Sequence, residues 1–268
     1  SDASDSGSSE RDAPSLGLDT GALRELAFLS AQGSMGLSHP NVLAGTCVTW
    51  LNGEVCVVLP KLVRSLEDVI AKNEWLSNAD RLKVVKQVLS ALVWMHDKGF
   101  MHRDVKPANV LLDNADNASV CDFSLVKLIS MAEAEPTGGR CTTAGRATHT
   151  RGSGTATYTA PEVVDGCDYG VKADAYSAGV LMYELLNNAM LSAKNDKQGL
   201  SELEAVRARL SRAKLVPRVM AGLLDPSPET RLSCAEALAA LEGREVTGTE
   251  GVPVGRVAAS GSLDKDVK

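Results

Sequence analysis

His102-Arg103-Asp104-Val105-Lys106-Pro107-Ala108-Asn109 follows the strongest helical pattern in the chain and precedes two short apolar runs. His-Arg-Asp alone is three common polar residues. The weight comes from the further motifs that succeed it in fixed order. Asn109 stands five places after Asp104, and Asp122-Phe123-Ser124 comes next. Gly154-Thr155-Ala156-Thr157-Tyr158-Thr159-Ala160-Pro161-Glu162, Asp174-Ala175-Tyr176-Ser177-Ala178-Gly179 and finally Arg231 complete the set.

Around this stretch the hydrophobic pattern divides the chain. Before it, Gly21–Ala31 reads as a short helix with Leu23, Leu26 and Leu29 on its apolar side. Val42–Trp50 and Glu54–Leu59 read as strands joined by a hairpin turn at Leu51-Asn52-Gly53. Ser65–Asn73 and Arg81–Lys98 read as helices, the second stopped by Gly99. After it, Val110–Leu112 and Ser119–Cys121 are short strands, and residues 124–161, rich in Thr, Gly and Ala, form a long loop. Lys172–Leu186 is apolar nearly all round, the mark of a helix buried on most sides. Glu202–Ala213, Val216–Leu224 and Ser233–Leu241 continue the helical half. A small β-containing part followed by a helical part predicts an α+β, two-lobed fold.

Bulk properties set the limits. The 268 residues carry a net charge of −6, which gives no general attraction to nucleic acid. Six cysteines show no metal-ligand spacing and read as free thiols of a reducing compartment. No apolar run is long enough to span a bilayer and no signal-peptide pattern is present, so the expected location is cytoplasmic or nuclear. Residues 1–20, dominated by Ser, Asp and Gly, are expected to be disordered, as is the tail 243–268. The folded domain is then 21–242, with a small lobe at 21–60 and a large lobe at 61–242.

The ordered motifs resemble the protein kinase family, specifically between Trp94 and Leu186 and more loosely from Glu25 to Leu241. The resemblance implies a two-lobed kinase-like fold with a mainly helical large lobe and an incomplete small one. It implies ATP and Mg²⁺ as cofactors and a protein substrate with a Ser or Thr acceptor. Phosphoryl transfer asks a protein chiefly to position a hydroxyl and neutralise phosphate charge. Asp104 would orient the hydroxyl or accept its proton, and Lys106 would stabilise the transferring group as a point charge. Asn109 and Asp122 are hard oxygen ligands suited to Mg²⁺. Thr155 completes the catalytic set, while Leu59, Lys61, Leu111 and Asp122 are the nucleotide-lining positions. Lys106 and Thr155 match the Ser/Thr class. His102 and Phe123 would pack in a hydrophobic spine, Asp174 would hold the catalytic-loop backbone, and Glu162 would pair with Arg231. Arg103 would receive a phosphate on the long loop, with Thr148, Thr150 and Ser153 as candidates and an activating kinase as a second partner.

The sequence departs from the family in its first part. No GxGxxG is present, and the first lysine is Lys61, already past the second strand, so no lysine can anchor the α- and β-phosphates. Glu25 falls where that lysine's partner would stand, although an exposed helix face is an equal reading, with an insertion at Gln32–Gly36. Ser124 replaces a glycine and restricts rotation beside Asp122. Two explanations compete, a piece of a longer kinase, consistent with the non-Met start, or a catalytically impaired pseudokinase acting as a protein-binding scaffold. A small-molecule phosphotransferase is disfavoured by Ala160-Pro161-Glu162, which builds a platform for protein substrates.

Overall fold

The computed structural model describes residues 20–34, 38–52, 54–74, 76–129, 155–188, 190–191, 201–205, 207 and 215–244. The helix expected at 21–31 is α1, Thr20–Ser34. Its buried side chains are Phe28, Leu29 and Gln32, whereas Leu23 is exposed. The stripe is rotated from the expected leucine face because Phe28 inserts between two aromatic rings, 5.1 Å from Phe100 and 4.3 Å from Phe123 between centroids.

Two strands come next, β1 Cys47–Leu51 and β2 Glu54–Val58, paired antiparallel with Thr49 opposite Cys56. The first is shorter than the apolar run because Val42 and Leu43 serve a different purpose. Val42 makes an isolated bridge to Val120, with Leu43 N–H donating to Val120 O at 2.8 Å and Val120 N–H to Asn41 O at 2.8 Å. The segment after α1 is thereby sewn to the strand that leads into Asp122.

After the hairpin come β3, Arg64–Ser65, and α2, Leu66–Ala71. Ser65 and Asp68 form a reciprocal capping box that starts this helix. Next comes α3, Asn78–Asp97, capped by Ser77 and buried through Val84, Val85, Val88, Leu89, Leu92 and Met95. Gly99 ends it at φ 77°, where an added Cβ would stand 3.1 Å from Ile129 O. Beyond it lie β4 Phe100–Met101, a 3-10 turn at Pro107–Asn109, β5 Val110–Leu112, β6 Ala118–Val120 and β7 Lys127–Leu128. The strands form one sheet in the order β3-β5-β6 and a separate β4-β7 pair. Only β7 of the last pair lies within the expected long loop, whose lack of periodicity hides a two-residue strand.

After a 3-10 turn at Thr155–Tyr158 come α4 Pro161–Val164, α5 Lys172–Asn187, a helical stretch at 201–205, α6 Leu215–Leu223 and α7 Cys234–Leu241. The helix expected at 202–213 extends beyond the described residues. α5 is the axis of the lobe, buried from Ala173 to Leu185. Gly179 lets α6 approach it, since a Cβ there would meet the Leu223 Cβ at 2.9 Å. Among the cysteines, Cys47, Cys56, Cys121 and Cys234 are free thiols, but Cys167 is disulfide-bonded, against the expectation of six free thiols. No helix among the described residues is long and apolar enough to cross a membrane.

Candidate active site

The His102–Asn109 loop is held by Asp174, in the first turn of α5. Its Oδ2 accepts the His102 N–H at 2.9 Å and the His96 Nε2 at 2.9 Å, and Oδ1 accepts the Arg103 N–H at 2.8 Å. Complete burial opposes the charge of this carboxyl, but the bonds and charge of His96, with further help from His102 and the Arg103 N–H, outweigh it and keep the pKa below the usual value. The loop is thus fixed from its backbone, with Arg103 in the left-handed region at φ 69°. His102 is fully buried; its Nδ1 accepts the Asp104 N–H at 3.2 Å, so Nε2 carries the proton donated to Cys121 O at 3.0 Å. One ring therefore ties the His102–Asn109 loop to the residue preceding Asp122.

Asp104 is buried and has two side-chain donors on a single oxygen. Its Oδ2 accepts Lys106 Nζ at 2.6 Å and Asn109 Nδ2 at 2.8 Å. Asn109 Nδ2 also reaches Asp104 O at 2.9 Å, which fixes the amide with its oxygen turned the other way. Among the described residues Oδ1 of Asp104 accepts no hydrogen bond.

Asp122 follows β6, at φ 63°. Its Oδ1 accepts the Ser124 hydroxyl at 2.6 Å and the Ser124 N–H at 3.2 Å. Glu25 of α1 comes close enough to feel Asp122 and the Phe123 backbone. Burial raises its pKa first and repulsion from Asp122 adds to that, while a hydrogen bond from the Phe123 backbone pulls the other way. The reading of Glu25 as an exposed helix residue is thereby corrected: α1 brings it to Asp122 and Phe123. Phe123 is buried, with its ring 5.6 Å from His102 and 4.3 Å from Phe28.

Comparison with known proteins gives the family and the fold. The family model of the protein kinase domain matches residues 11–241. The chain belongs to the protein kinase family. It is 31% identical over 211 residues to CBL-interacting protein kinase 3 of Oryza sativa, covering 75% of this chain and 44% of that protein. It is 33% identical over 154 residues to the human calcium/calmodulin-dependent protein kinase type IV, covering 56% of this chain and 30% of the other. The chain spans about half the length, or less, of the curated relatives it matches. Among solved structures, the yeast RNA Pol II CTD kinase CTDK-1 complex has a chain that aligns at TM-score 0.67 and 19% identity, over 86% of this chain and 83% of that one. The fold is that of a protein kinase, with α1 and the β1–β2 hairpin on one side and the helical lobe on the other.

The other kinase-motif positions take supporting places around this centre. Glu162 and Arg231 form a buried bidentate pair at 2.6 and 2.8 Å. The remaining Arg231 donors go to the carbonyls of Asp225, Lys172 and Pro226, so all five N–H groups are satisfied. Leu111 is half-buried on β5, opposite Ser65. Leu59 and Lys61 follow β2 as exposed residues, and Lys61 makes no ion pair among the described residues. Thr155 opens the last 3-10 turn, but its side chain, like Thr148, Thr150 and Ser153, lies outside what is described. Arg103 is exposed, its guanidinium 5.8 Å from the Tyr169 ring centre. Sequence reasoning missed the roles of His96, Phe28 and the Ser124 hydroxyl. The first two make contacts across long sequence separations and leave no local pattern.

Proposed function

We propose that this domain transfers the γ-phosphoryl group of ATP to Ser or Thr hydroxyls of protein substrates. The observation that supports this best is the arrangement of Asp104, with Oδ2 held by Lys106 and Asn109 and Oδ1 open. The donor set also suits Mg²⁺. Asn109 and Asp122 offer hard oxygens, Asp122 Oδ2 accepts no hydrogen bond among the described residues, and no group of three or more metal-holding side chains gathers there. Such a site fits an ion that keeps waters and takes phosphate oxygens rather than a protein cage. Mg²⁺–ATP, when bound, supplies the phosphoryl group and partial neutralisation of its charge.

The chain's own residues do the rest. Asp104 Oδ1 orients the acceptor hydroxyl and takes its proton. Lys106, tied to the same carboxylate, places a positive charge beside the transferring group. Asn109 links the two roles, bonding Asp104 through its amide nitrogen and leaving its amide oxygen as a ligand that would hold Mg²⁺. Thr155 and the Ala160-Pro161-Glu162 element favour a protein acceptor of the Ser/Thr class.

The same reading sets a limit on this chain alone. No lysine precedes Lys61, Asp122 raises the pKa of Glu25, and Glu25 makes no ion pair among the described residues. Losing one preorganised charge of this kind costs about 10²–10³ in rate, so we expect weak or no activity from these 268 residues. Robust phosphorylation of a generic Ser/Thr substrate, abolished by Asp104→Asn, would overturn that limit and establish the enzyme at once. The lysine-free approach to Glu25 also favours a second reading, a scaffold that binds partners without catalysis. A nucleotide thermal-shift assay with Mg²⁺ separates them: a shift on adding a Gly-rich, lysine-bearing segment ahead of the chain supports the kinase, and none with either form supports the scaffold.

A further inference from the structure

We propose that the Ser124 hydroxyl is a positioning group that commits Asp122 to hold a divalent ion through Oδ2 alone. The inference rests on the reading of Asp122 as the metal ligand. Asp122 Oδ1 is occupied twice, by the Ser124 O–H at 2.6 Å and the Ser124 N–H at 3.2 Å. A carboxylate oxygen has two lone pairs in its plane, so Oδ1 has none left for a metal, while Oδ2 accepts no hydrogen bond among the described residues. The short hydroxyl bond also resists rotation of the carboxyl about its Cβ–Cγ axis, and the adjacent backbone is held in the left-handed region at φ 63°.

A glycine at position 124 would keep the N–H bond but supply no hydroxyl, and would leave the carboxyl free to swing toward bidentate binding. Glu25 makes the constraint matter more. Its carboxyl approaches the same group from α1, and a freely turning Asp122 would rotate away from that like charge. Hydrogen bonds to ligating carboxylates are the usual means of orienting a metal ligand, and their loss commonly lowers metal affinity about 10–100-fold.

The test uses the whole chain and Mn²⁺ alone as a paramagnetic probe, following the broadening of the Phe123 and Ser124 backbone amide signals, with Asp122→Asn as the site control. Ser124→Ala and Ser124→Gly should each raise the Mn²⁺ concentration for half-broadening about tenfold. Ser124→Thr, which keeps the hydroxyl, should titrate like the parent chain. An Ala titration that coincides with the parent overturns the inference, and an effect confined to Gly does the same by assigning the change to backbone freedom. Should the parent chain behave like Asp122→Asn, Asp122 is not a metal ligand, and both the functional reading and this inference fall together. Loss of the hydroxyl effect with normal parent binding removes only the inference.

Discussion

At the residue scale, Glu25 and Cys121 report on the same crowded spot. Glu25 is held above its ordinary value of 4.5 by burial and then by Asp122. A carboxyl whose folded value is raised contributes stability fully below pH 4.5 and loses it as the pH rises through the raised value. The charged form is therefore the less stable at neutral pH. Glu25→Gln should raise the melting temperature at pH 7, and the gap should close as the pH is lowered toward 4.5. A variant that melts below the parent at pH 7 would mean that the Phe123 N–H bond matters more than the repulsion. Cys121, just before Asp122, is pushed up to about 12 by burial, then by Asp122 and Glu25. At pH 8 only about one such thiol in 10⁴ is ionised. Iodoacetamide should label exposed Cys47 in the folded chain and leave Cys121 intact, as mass spectrometry of the digested product would read. Equal labelling of the two would show that the loop opens far more readily than its packing implies.

At the element scale, the ends of the helices carry different loads. Ser233 caps α7 with a reciprocal bond to Glu236, and Ser233→Ala should cost about 1 kcal/mol. Glu162, in the first turn of α4, leaves a fully buried guanidinium when removed. Glu162→Ala should therefore cost about 3–5 kcal/mol in chemical denaturation, several times the cap. Similar losses for the two would mean that water or another acceptor reaches Arg231. These elements also separate what could be read from the chain from what could not. α3 and α5 were legible because their apolar patterns are local and Gly99, the stop of α3, stands beside it in sequence. The expected start of α3 at Arg81 lies three residues after its true first residue, Asn78, because the Ser77 cap was overlooked. The pair Glu162–Arg231 was legible only through the family resemblance, because nothing within either segment names the other. The rotation of α1 was not legible, since Leu23 and Phe28 are equally apolar and only the rings of Phe100 and Phe123 decide which is buried.

At the scale of the molecule, the two sides of the fold are unequally built. The helical lobe closes around α5 with an extensive apolar core. The other side, among the described residues, rests on α1 and a two-stranded hairpin whose Val48, Trp50 and Leu51 are 53%, 65% and 61% exposed. The sequence foretold strands there but not their exposure, because an apolar run says what a strand can bury and not what is present to cover it. A lone two-stranded hairpin is marginal in water, and what anchors this side is the stitch of Asn41–Leu43 to β6 with Phe28 between the rings. Unfolding should then be uneven. In native-state hydrogen exchange, the β1 and β2 amides should open locally, with a free energy far below that of α5, whose buried amides should exchange only by global unfolding. Mild denaturant sharpens the contrast, since global opening is accelerated by denaturant and local opening is nearly indifferent to it. Phe28→Ala should move the α1 and hairpin amides together toward faster exchange while α5 changes much less. If the hairpin and α5 instead exchange at one common rate, the two sides form a single cooperative unit, and the aromatic contact of Phe28 is not what joins them.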